Sequence, residues 1–214
     1  RNYFMKILIK FKQKIFDYVK NNFKEYMLVL LLFIIGVFIG VMIINNLEQT
    51  KIDEVKKYIE EFITKIKSIE NISQTDLIIE SIKSNIILAI ILWIAGTTVI
   101  GLPVVLTVIL ARGVCLGYTI AIITYSLGTA KGILFCLITI LLQNILFIPA
   151  ILTIGVSSIK LYKSILKDRQ KELIKSNIIK HTLISGLMIL VLIISSFVEN
   201  IVSVHMLKNF IKYF

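Results

Sequence analysis

Apolar positions along the chain gather into long runs broken by short polar punctuation. Tyr26–Ile44 reads YMLVLLLFIIGVFIGVMII without a charge, and between Lys83 and Lys160 the only charged side chains are Arg112 and Lys131. At 1.5 Å rise per residue, about 20 apolar residues cross the ~30 Å hydrocarbon core. The long block therefore holds three crossings, folded at Arg112-Gly113 and near Lys131, and a final run covers His181–Val204. The pattern predicts an all-α polytopic membrane bundle. Its five spans fall at about 26–44, 85–111, 113–130, 132–157 and 181–204, in one membrane domain, 26–214.

Polar positions shape what lies between the spans. In residues 1–25, Phe4, Leu8, Phe11, Ile15, Val19 and Phe23 recur at helical spacing, with Lys6, Lys10, Lys14 and Lys24 largely off that face. This is an amphipathic basic helix, either lying in the headgroup layer against anionic lipid or packed on the bundle. The long basic region, with Asn45-Asn46 directly after the first span, reads as an uncleaved anchor. In the 45–84 connection, Ile52, Val55, Ile59, Phe62, Ile66 and Ile69 form a heptad-like seam on a helix of about 20 residues. Asp53/Lys57 and Glu61/Lys65 support that helix, and Ser73 with Asp76 marks the start of another. The seam must bury against the bundle, a second copy or another protein, and is the candidate partner-docking surface.

Helix-disturbing and amide residues inside the apolar block mark helix contacts or a polar interior. Gly36 and Gly40 have close-packing spacing, repeated by Gly113 and Gly117, and suit internal packing or a homodimer. Pro103, beside Gly96 and Gly101, is expected to kink or break the second span by disturbing the hydrogen bond to Val99. Gly132 opens the fourth span, which carries Gln143 and Asn144 near its midpoint and Pro149 after them. Two amides in mid-bilayer need partners, and carbonyls at Val99 and Ile145 offer them. The pair reads as a buried interhelical clasp or as a polar site for an ion or small solute.

Composition and charge sharpen the picture. The chain is 57% hydrophobic with a net charge of +11. A bilayer divides those charges between two surfaces, which removes nucleic acid as the expected partner. Five spans put the termini on opposite sides. The side sharing the N-terminus carries fifteen basic residues against nine on the other. The positive-inside rule then places the N-terminus and the 158–180 loop in the cytoplasm, and the 45–84 loop and C-terminus outside. Cys115 and Cys136 sit in different spans and are expected to be unpaired. His181 and His205 bracket the last span, an interfacial placement that forms no metal site. No catalytic motif or cofactor signature is present, and Glu199, the lone acid within the spans, is expected to be structural or interfacial.

The runs IAGTTVIGLPVVLTVILARGVCLGYTIAI and GTAKGILFCLITILLQNILFIPAIL resemble the stage II sporulation protein M family. The shared pattern is G-x-x-x-x-G-x-P, then R/K-G-x-x-x-G, then Q-N-x-x-x-x-P. Here it is carried by Gly96, Gly101, Pro103, Arg112, Gly113, Gly117, Gln143, Asn144 and Pro149, with Gly132 ahead of the amides and Glu199 matching a late acid. Leu142 stands where the family usually has proline, and Arg112 replaces a commoner lysine. The resemblance implies an integral membrane scaffold for forespore engulfment. It would hold two peptidoglycan-degrading partners, stage II sporulation proteins D and P, at the septal membrane, with the cleaving residues in the partners rather than here. The alternative expectation is a channel or permease built around the broken helices.

Overall fold

A computed structural model describes residues 13–48, 50–55, 57, 61, 74–137, 140, 142–167 and 171–211. The arm is helical over 13–21 and is called α1. It is followed by α2 (Phe23–Asn45), α3 (Gln74–Gly96), α4 (Gly101–Leu127), α5 (Thr129–Cys136), α6 (Leu142–Lys167) and α7 (Lys171–Ile211). All these elements are helices, and five are long and apolar enough to cross a membrane. Many large apolar side chains face outward, including Leu31, Phe38, Met42, Ile87, Leu183 and Leu190. Hydrocarbon suits such a surface, because water would leave an apolar patch far larger than soluble proteins carry.

α6 is the axis of the bundle, touching α2, α3, α4 and α7. Fifty-six per cent of its apolar window is buried, against 17–28% for the other four spans. Its Phe147, Ile151 and Ile154 meet Val29 and Phe33 of α2, Leu88 and Leu92 of α3, Val105 and Ile109 of α4 and Leu192 of α7 in one cluster. α2 and α4 run parallel and form the most extensive contact. Lys163 donates to Glu25 at 2.6 Å, tying the end of α6 to the start of α2. The described part of the arm thus shares one end of the bundle with the end of α6 and the start of α7, and residues 46–48, directly after α2, lie at the other end.

Several sequence-based boundaries move. The second span ends at Gly96, and the turn expected at Arg112-Gly113 lies instead at 97–100. There the Thr97 and Thr98 hydroxyls donate to the carbonyls of Ile94 and Ala95, and the Thr98 hydroxyl accepts the amide of Gly101 at 3.0 Å. These threonines satisfy backbone groups that two helix ends leave open. Pro103 becomes the third residue of α4, where its missing donor would be unpaired anyway, so it starts a helix rather than kinking one. α4 runs unbroken through Arg112 and ends at Gly128, whose φ of 81° lets the chain reverse into α5.

The fourth span is divided into α5 and α6, with wide π-type backbone at 137 and 140. The expected 158–180 loop is almost wholly helical, with only 168–170 between α6 and α7 outside the described residues. The expected helix of the 45–84 connection falls largely outside them too, as does Ser73, while 74–84 belongs to α3.

Candidate functional site

The glycines singled out in the sequence come together in pairs along the α2–α4 seam. A Cβ on Gly36 would strike the Leu110 carbonyl oxygen, and one on Gly40 that of Val114. From the other side, Gly113 faces the Phe33 carbonyl and Gly117 that of Val37. The two small-residue faces therefore meet within one chain, so of the two uses their spacing suits, internal packing and a homodimer, they serve the first. Gly132 packs against Thr124 in the α4–α5 hairpin, and Gly101 against Ala95 in the 97–100 turn.

A second, polar seam joins α3, α6 and α7 near the arm end. His181 is 1% exposed, buried between helices rather than facing headgroups as its position beside the last span implied. Its Nε2 lies 3.3 Å from the Trp93 carbonyl and its Nδ1 2.9 Å from the Ser157 hydroxyl. A carbonyl only accepts, so in the neutral ring Nε2 carries the proton and Ser157 donates to Nδ1. Gly96 permits this approach, since a Cβ there would meet the Ser158 hydroxyl oxygen and the His181 ring. Trp93 Nε1 donates to Thr182 at 3.2 Å, and deeper in the bundle Asn85 donates to Ser196 at 2.8 Å. The serines and His181 could have been found by their helical spacing, but apolar neighbours hide such residues when a span is read for hydropathy alone.

Of the amide pair, only the Asn144 side chain lies among the described residues. Asn144 donates to the carbonyl of Ile140 at 2.8 Å, one turn back in the same chain. The side chain of Gln143 lies outside the described residues, as do those of Glu199 and His205. Pro149 is exposed within α6, and its carbonyl accepts from Thr153 at 2.7 Å. With the Thr153 proton so used, Tyr26 donates to Thr153 at 3.0 Å and links α2 to α6.

Arg112 is half-buried inside a span, its guanidinium carbon 5.3 Å from the Phe147 ring centroid. A charge here is costly, and the cation–π contact returns about 0.5–2 kcal/mol. Arg112 also borders a groove of about 440 Å³ shared with Glu80, Lys83 and Ser84.

At the arm end, Tyr18 inserts toward the bundle while Ile15, Phe16, Val19 and Phe23 face outward. The described part of the arm's apolar stripe is thus exposed, and its Tyr18–Asn22 edge faces protein. Burial, and then the neighbouring Tyr26, pushes the Tyr18 phenol up to about 12. Its hydroxyl is enclosed beside the Ser157 hydroxyl, whose influence partly opposes that rise, and no hydrogen bond of ordinary geometry joins them.

Of the expected docking seam, Ile52 is 4% exposed and so is covered by the chain itself, while Val55 is half-buried. Ile59, Phe62, Ile66 and Ile69 lie outside the described residues. Cys115 and Cys136 are both free.

The sequence matches the family model described as stage II sporulation protein M over residues 29–204. No curated protein and no solved structure matches it significantly.

Proposed function

Because the chain belongs to the stage II sporulation protein M family, a family of sporulation-related membrane proteins, we propose that it is a scaffold holding peptidoglycan-degrading enzymes at the engulfing septal membrane. Family membership is the observation that carries this reading. The expected partners are stage II sporulation proteins D and P, which supply the cleaving residues while this chain supplies a fixed membrane address.

The division of the bundle into two ends supports it. The arm from residue 13 and the lysine-rich ends of α6 and α7 occupy one end, and the chain leaves α2 at the other. Even with Arg112 moved into a span, fourteen basic residues accompany the arm against nine on the opposite side. By the positive-inside rule that imbalance favours a cytoplasmic arm, with the 46–73 connection on the outer side, where wall enzymes work. Since Ile52 is already covered, docking falls to the part of the seam beyond it.

The test is co-purification of the full chain with the two hydrolases from detergent extracts. Ile59→Asp with Phe62→Asp is expected to abolish co-purification while the bundle stays monodisperse. Undiminished co-purification would remove the docking role of this connection.

A further inference from the structure

Between α1, α6 and α7 lies a cavity of about 770 Å³ whose lining contains three lysines, Lys14, Lys160 and Lys180, and no carboxylate. Lys160 is stacked 5.0 Å over the Tyr18 ring. The nearby acid, Glu25, is already engaged by Lys163, and none of the three lysines has an ion-pair partner among the described residues. Ammonium groups gathered without a counter-charge make a field that an anion from outside the chain would neutralise.

The cavity borders lipid as well as water. Its wall includes Leu161, which is buried, and Leu183, which is 63% exposed and continues outward along α7 through Leu187 and Leu190. These three leucines follow helical spacing and form one apolar row on the hydrocarbon-facing surface. The Tyr18 hydroxyl is enclosed at the same place, beside Ser157 but without a hydrogen bond of ordinary geometry.

We propose that this cavity binds an anionic phospholipid, its phosphate held by Lys14, Lys160, Lys180 and the Tyr18 hydroxyl, and an acyl chain laid along Leu183, Leu187 and Leu190. A free phosphate ester satisfies the lysines but leaves the leucine row uncovered. A zwitterionic headgroup brings an ammonium into a site that already holds three. Burial keeps the phenol protonated and therefore a donor. Bound lipid would fix the arm against α6 and α7. The inference rests on the membrane reading of the five spans and not on the hydrolase partners.

The experiment reconstitutes the full chain in bilayers and compares spin-labelled phosphatidylglycerol with spin-labelled phosphatidylcholine in the motionally restricted population. A preference for phosphatidylglycerol is expected, falling by roughly fivefold or more in Lys160→Gln/Lys180→Gln, since each lysine near a membrane surface contributes about that factor. Lys167→Gln/Lys175→Gln removes the same charge outside the cavity and is expected to retain the preference. Tyr18→Phe, which removes no charge, is expected to weaken it by a smaller factor. Equal restriction of the two lipids in the parent protein, or equal loss in both lysine pairs, overturns the proposal. Displacement of the labelled lipid by glycerol 3-phosphate assigns the lysines to a soluble phosphate ester and overturns it as well.

Discussion

Along the α2–α4 seam, Gly36, Gly40, Gly113 and Gly117 bring backbone against backbone, whereas α3, α6 and α7 are joined by His181, Ser157, Trp93, Asn85 and Ser196 through side-chain hydrogen bonds. The contrast follows from the solvent. In lipid, burying one more leucine gains little, because hydrocarbon is as apolar as the helix it replaces. Helices must therefore be held either by very close packing, which only glycine allows, or by polar pairs that hydrocarbon cannot compete for. The first device depends on shape and fails abruptly. The second is a sum of modest terms and weakens by degrees.

Substitutions separate the two devices. The largest effect is expected at the glycine seam, where Gly113→Leu sets a side chain against the Phe33 carbonyl and should cost about 3 kcal/mol or more. Thermal unfolding in detergent reads this as loss of a monodisperse bundle. Gly186→Leu, placed where nothing lies within 4 Å, should leave the transition near the parent value. Tolerance at both positions would mean that α2 and α4 do not pack as closely as their glycines permit.

An intermediate effect is expected in the polar seam. His181→Leu loses both ring bonds and leaves Ser157 without its acceptor, a cost of about 1–2 kcal/mol in the same assay. A loss as large as that of Gly113→Leu would make the polar seam, rather than the glycines, the principal clamp. The smallest effect concerns the deeper pair. A double-mutant cycle with Asn85→Ala and Ser196→Ala should give a coupling of about 0.6 kcal/mol, the usual size for an interhelical hydrogen bond in a membrane. A coupling near zero would assign both residues to packing alone.

The two seams were unequally legible. Gly36/Gly40 and Gly113/Gly117 announce close approach through spacing, and internal packing was among the expectations. Nothing in the sequence pairs His181 with Ser157 and the Trp93 carbonyl, because these groups lie on three helices and become neighbours only when the bundle closes. The turn between the second and third spans was misplaced for a related reason. Arg112-Gly113 has the composition of a loop, yet Gly113 is there for Phe33 and Gly36, and Arg112 rests on Phe147. The actual turn was signalled by Thr97-Thr98 ahead of Gly101 and Pro103, polar residues able to satisfy helix ends followed by one that suits a helix start.

Sequence by itself determined that the chain is helical, that five segments are apolar enough for a bilayer, and that its family pattern lies in the Gly96–Pro149 block. These are local properties: a residue's hydropathy, a glycine's missing side chain and a proline's missing donor act wherever the chain places them. Only the tertiary structure decided which glycines face one another, that Arg112 lies inside a span, and that Lys14, Lys160 and Lys180 share one cavity. Those outcomes depend on how far each helix slides and turns against its neighbours, a geometry fixed by all the contacts at once.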